Sequence, residues 1–262
     1  MAQVHTKSFG RAKGFASHYV KFFLRLGMFV FGITAYLADN VRNEKMAAAG
    51  TLGNYVFWGF VWIWFFGEMV FRVLPFKNKS RGCQKQYKYA FQNTGEPDKI
   101  SAPKRFADAL PVAGLWLISN IVIGGLCFGG IIDAGIVLLI SLFYSVLDVF
   151  CVLILCPFQT FIMKNRCCTT CRIYNWDYFL IFTPVMFTKN IFGWILFAFS
   201  LVILVQWETA AWRHPERFSE KSNMALSCAN CEEKLCLQKK QIREAFGGKA
   251  VQGQKHKTAV KF

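Results

Sequence analysis

The residues best suited to chemistry are six cysteines in two polar stretches. Cys168-Thr-Thr-Cys171 is a C-x-x-C pair, extended backward by Cys167. Cys228-Ala-Asn-Cys231 is a second pair, extended forward by Cys236. A two-residue spacer lets both sulfurs of one turn point at one ion about 2.3 Å away, and two such turns facing each other make a tetrahedral thiolate site. The pattern predicts structural zinc at Cys168, Cys171, Cys228 and Cys231, with Cys167, Cys236, Cys83 and His214 in reserve. Other chemistries compete for the same residues. Six thiols exceed what one zinc needs, and thiolates also hold iron–sulfur clusters. Arg166, Arg172 and Lys234 would raise the thiolate fraction of a redox pair. A further reading leaves the thiols reduced and without a ligand. Cys127, Cys151 and Cys156 fall in apolar stretches and read as packing residues.

A second set consists of ionisable residues inside apolar runs. Glu68 and Arg72 are four apart, hence on one face of a helix, and are expected to pair with each other. Asp148 stands alone in its run, as a proton or cation site or a partner for Arg25. Such groups are costly in a bilayer and normally face the bundle interior or water. A third set, Arg213, His214 and Arg217, is dense enough to contact a lipid headgroup or phosphate. An interfacial belt with local salt bridges accounts for it equally. One histidine does not make a general-base claim. There is no P-loop, dinucleotide fingerprint, HExxH or GxSxG, and the chain reads as non-enzymatic.

The elements that must position these residues are membrane helices. Of 262 residues, 54% are hydrophobic and only 18% charged, against about 25% in a soluble domain. From Phe106 through Met163 there is no Lys or Arg. That excludes an ordinary soluble, disordered or fibrous chain. The net charge of +16 would suggest nucleic acid in a soluble protein. Here basic loops that set orientation and touch anionic lipid account for it, and nucleic acid is disfavoured as a partner.

The predicted fold is all-α and polytopic, with about six membrane helices in three hairpins and a small cytoplasmic Cys-rich metal knob. A basic cytoplasmic N-terminus covers 1–21. The first hairpin covers 22–74, with a helix lying flat on the surface as the alternative for its first arm. A basic cytoplasmic loop covers 75–110, and the second hairpin 111–157. Gly125 and Gly129, in a small-xxx-small spacing, suggest close helix packing. A Cys-containing loop covers 158–177. Residues 178–207 are long for one span and short for two, which predicts a short or re-entrant hairpin bending after Pro184. A Cys-containing cytoplasmic segment covers 208–246 and a disordered basic tail 247–262.

Charge sets the orientation. With six crossings, 27 Lys and Arg fall on one side and 3 on the other, Arg72 lying within a span. The positive-inside rule then makes both termini cytoplasmic, in a cell inner or plasma membrane. The same even count returns both cysteine pairs to one side. The expected function is a membrane scaffold, or a subunit of a membrane assembly, whose zinc knob docks a protein partner or a second copy. A small transporter or channel using Asp148 and Glu68 is one alternative. A membrane electron-transfer protein with an iron–sulfur cluster is the other.

Overall fold

The computed structural model describes residues 3–41, 52–74, 86–94 apart from 89, 102–163, 171–219 and 221–227. Among these, helix is the only regular element. The long helices are α1 (Gln3–Val41), α2 (Leu52–Val73), α3 (Ala102–Phe128), α4 (Ala134–Leu153) and α6 (Ile191–Arg213). Each contains a stretch long and apolar enough to cross a membrane. The short helix α5 (Asp177–Phe182) and a 3₁₀ turn at Pro184–Phe187 form one further apolar segment.

Local chemistry explains the helix ends. Asp133 caps α4, its side chain accepting the Ile136 amide at 2.8 Å. The turn before it needs a positive φ, which Gly130 supplies at 70°. Asn190 caps α6 by accepting the Phe192 amide at 2.9 Å. Pro215, two residues past Arg213, prevents α6 from continuing. Three boundaries differ from expectation. The third span was expected to begin at Pro111, yet α3 starts at Ala102 and carries that proline internally. Packing overrides the missing amide: Ala109 and Val112, on either side of it, are buried with Trp207 and Ala211 of α6. α4 stops at Leu153 rather than at Pro157, and the chain turns through a π-helical segment at Phe158–Ile162. The arms of the third hairpin are unequal, with the bend at Thr188–Asn190 rather than directly after Pro184.

α1 and α4 run antiparallel along their lengths. Arg25 meets Asp148 near one end and the Tyr36 hydroxyl donates to Asp133 at 3.0 Å near the other. Between them a Cβ on Gly32 would lie 3.1 Å from Leu139 and Leu142, so the helices approach closely there. The Pro184–Phe187 turn packs on both α3 and α4. The Phe187 ring sits 2.8 Å from the position a Cβ would take on Gly124. Gly125, by contrast, has nothing within 4 Å, so the close approach uses Gly124 rather than the Gly125/Gly129 spacing.

The central core joins Met28, Phe65, Met69, Leu142, Tyr178, Phe182 and Ile203, drawn from five helices. Outward residues are apolar as well: Ile63 is 66% exposed and Ile118 61%. An apolar exterior suits hydrocarbon as the surrounding solvent.

A charge network beside an apolar cavity

The apolar core leads at one end of the bundle into six charged side chains. Arg25, 1% exposed, is the hub. It donates to Glu68 of α2 at 2.8 Å, to Asp148 of α4 at 2.9 Å and to the Ser145 carbonyl at 2.9 Å. Its guanidinium also lies 5.3 Å from the centre of the Phe65 ring. Lys21, one turn earlier on α1, takes the other Glu68 oxygen at 2.8 Å. Arg72 reaches Asp177 at the start of α5 and stacks 4.3 Å from the Tyr178 ring centre. Tyr178 closes the circuit by donating to Glu68 at 3.1 Å. Three cations thus face three carboxylates, and α1, α2, α4 and α5 are tied through them. Buried charges persist only when paired and hydrogen-bonded in this manner.

The expected pairing within α2 therefore gives way to pairings between elements: Glu68 is held by α1, and Arg72 binds Asp177. The i, i+4 spacing put both side chains on one face, and that face meets neighbours that each offer a better-placed opposite charge. Arg25 and Asp148 do come together. Lys21, Asp177 and Tyr178 were not expected in the network. The signal for Asp177-Tyr178 was an acid directly ahead of an apolar run.

Next to the network lies a cavity of about 550 Å³. Its walls come from α3, α4, the 155–159 corner and the 171–181 segment, and include Asp148, Asp177, Trp116, Tyr144 and Cys171. Neither a family model, nor a curated protein, nor a solved structure is similar to the chain.

Beyond the network the same end carries a polar cap. Arg172 is buried and pairs with Glu208 of α6, which also accepts from the Trp176 indole at 2.7 Å. Trp207 donates to the Arg172 carbonyl at 3.2 Å. Burial pulls the Arg172 guanidinium below its ordinary pKa and Glu208 opposes that shift; an arginine remains protonated regardless. Asn223, fully buried, binds the Gln92 and Ala225 amides and the Arg217 carbonyl. The loop at 91–94 is thereby fastened to 219–224, with Met224 donating to the Gln92 carbonyl at 2.8 Å. Nothing in the sequence announced Asn223.

The expected metal ligands divide. Cys171 is buried, with its sulfur 3.7 Å from that of Met163, in a cluster with Trp176, Trp207 and Phe218. Cys83, Cys167, Cys168, Cys228, Cys231 and Cys236 lie outside the described residues. Among the described residues no three metal-ligating side chains gather. Of the headgroup candidates, His214 is 3.2 Å from Glu216. Arg213 is exposed at the end of α6, and Arg217 is half-buried in the following 3₁₀ turn. Among the three, the Arg217 amide donates to the His214 carbonyl at 3.1 Å, a backbone turn contact, and no side-chain hydrogen bond joins them among the described residues.

Proposed function

We propose that the chain is an integral membrane scaffold, or a fixed subunit of a membrane assembly, with its termini and basic loops on the cytoplasmic side. The observation that carries this reading is the closure of the charge network. Each of the six charged groups already has an opposite partner, and the hub Arg25 is out of reach of solvent. That is the chemistry of a rigid framework, since moving any one helix would strip a buried charge of its partner. The basic faces suit anionic lipid and an acidic partner surface.

A structural zinc at Cys168, Cys171, Cys228 and Cys231 belongs to this proposal. It is supported by the close packing of Cys171 with Trp207 and Phe218, while Asn223 ties the approach to Cys228 onto the Arg217 carbonyl. Cys171 and the 223–227 stretch that leads to Cys228 are thereby held at one end of the bundle. The test is zinc and iron analysis of full-length protein purified in detergent without oxygen. About one zinc per chain, lost with loss of thermal stability in Cys168→Ser/Cys231→Ser, is the expected result. Iron with sulfide would replace the scaffold reading by electron transfer. No metal in the parent would remove the knob.

A second reading, a small transporter or channel, has one observation in its favour: Asp148 belongs both to the ion pair with Arg25 and to the cavity wall. Substrate-coupled flux in proteoliposomes that Asp148→Asn abolishes would establish it. A scaffold gives the flux of empty vesicles in both cases.

A further inference from the structure

The cavity beside the network has a chemical polarity of its own. Among its described lining residues the charged side chains are Asp148 and Asp177, both acidic, with no Lys or Arg among them. Arg25 and Arg72 hold these carboxylates from behind, each through one oxygen. The second oxygen of each takes no hydrogen bond among the described residues. Asp177 is nine-tenths buried, with a side-chain exposure of 9%. Asp148 is more open at 25%. The rest of the wall is apolar and aromatic, with Trp116, Tyr144 and Tyr174 able to offer ring faces to a cation. The indole N–H of Trp116 is itself buried without a partner.

The volume of about 550 Å³ falls within the range of about 300–1,000 Å³ typical of small-molecule sites. Leu115, Leu147 and Phe150 line the cavity yet are 51%, 37% and 36% exposed on the apolar exterior. They mark a side opening toward the surrounding hydrocarbon. A ligand arriving there must be apolar along most of its body. To satisfy two half-used carboxylates it must also bring a positively charged hydrogen-bond donor.

We infer that the cavity between α3, α4 and the 171–181 segment binds a lipophilic amine, with its ammonium group between Asp148 and Asp177 and its apolar body against the aromatic wall. This inference does not depend on whether the chain is a scaffold or a transporter. The two carboxylates on the described wall disfavour an anionic amphiphile. A neutral apolar chain would leave both free carboxylate oxygens without a donor.

The test uses the full-length protein in phosphatidylcholine nanodiscs and tritiated 4-phenylbutylamine, with empty nanodiscs as the blank. The expected result is saturable binding of one amine per chain, displaced by unlabelled amine and not by equal 4-phenylbutanol or 4-phenylbutyrate. Leu147→Trp fills the cavity without touching any charge and should weaken binding by about tenfold. Asp177→Asn should weaken it further, and Leu147→Trp keeps the inference testable if that variant fails to fold. Equal displacement by the alcohol would overturn the amine assignment. Absence of saturable binding, or indifference to Leu147→Trp, would overturn the site. Nanodiscs containing phosphatidylethanolamine distinguish the source of the amine. Competition there identifies an amine-bearing lipid, and its absence a free lipophilic amine.

Discussion

Replacing Arg25 by methionine is the sharpest perturbation of the network. Methionine keeps an unbranched apolar stem in a site that is 1% exposed, so the change is mostly one of charge. The consequences for its two carboxylates differ. Glu68 retains Lys21 at 2.8 Å and the Tyr178 hydroxyl at 3.1 Å. Asp148 has no other partner among the described residues. One carboxylate is therefore stranded, and removing one member of a buried pair costs about 3–5 kcal/mol. Asp148→Asn is milder, because the amide oxygen still accepts from Arg25 and the guanidinium keeps Glu68. Its expected loss is about 1.5–3 kcal/mol, the range for a hydrogen bond to a charged group. In Arg25→Met/Asp148→Asn no charge is stranded at position 148. The double variant should lose less than the sum of the singles by about 2 kcal/mol. The assay is reversible unfolding in mixed micelles with increasing dodecyl sulfate, followed by helical circular dichroism. A coupling below about 0.5 kcal/mol would refute the shared contact. An Arg25→Met protein as stable as the parent would refute the hub.

Other predictions probe neighbouring contacts. Gly193→Ala should destabilise by about 1–3 kcal/mol, because its Cβ would collide with the stiff, buried Val185 side chain; Val185→Ala should rescue it in the same unfolding assay. Asn223→Ala should leave the Gln92 amide and Arg217 carbonyl without their partner and raise hydrogen exchange at residues 92–94 and 223–225, while α4 stays protected. Glu208→Gln should remove the charge opposite the buried Arg172 while its amide oxygen still accepts, lowering stability by about 1.5–3 kcal/mol, whereas Glu216→Gln, on a 44% exposed side chain, should change it by under about 0.5 kcal/mol.

The parts of this structure legible in the sequence are those governed by local chemistry. Asp133 after a glycine pair announces the start of α4, and Asn190 that of α6, because a short polar side chain can cap a helix by itself. The absence of Lys and Arg from Phe106 to Met163, with a tight join at Gly129-Gly130 and Asp133, announces a helical hairpin. Helix through Pro111 was not legible, since the buried contacts of Ala109 and Val112 with α6 involve residues some hundred positions away. The inequality of the third hairpin has the same origin. Residues 177–187, partly 3₁₀, rise only about 18 Å, against about 34 Å for the 23 residues of α6. Side packing of Phe187 on Gly124 stabilises the short arm where hydropathy alone saw one ambiguous run. For the site, sequence supplied four of the charged residues and the Arg25–Asp148 pairing, but not Lys21, Asp177 or the pairings of Glu68 and Arg72. An i, i+4 relation says which face a side chain occupies, not which helix lies opposite.

The two ends of the bundle differ in kind, and that difference bears on where the molecule acts. At one end α1 and α4 meet through a Tyr36–Asp133 hydrogen bond and a tight glycine turn, with exposed Phe128 and Ile131 beside it. At the other end are the six-charge network, the Arg172–Glu208 pair, the Asn223 fastening and the acidic-walled cavity. Ordering charged groups in a low-dielectric site is expensive unless each has a fixed partner. A chain that needed only to span the bilayer could have used leucine at those positions. Concentrating the paired charges at one level leaves that end rigid in the bilayer, where the chain turns into its basic loops. A partner docking on those loops, or an amine settling between Asp148 and Asp177, would meet a surface whose geometry is fixed by α1, α2 and α4 together. Under the proposed scaffold function the working surface is this charged end, and perturbations there should change binding before they change insertion.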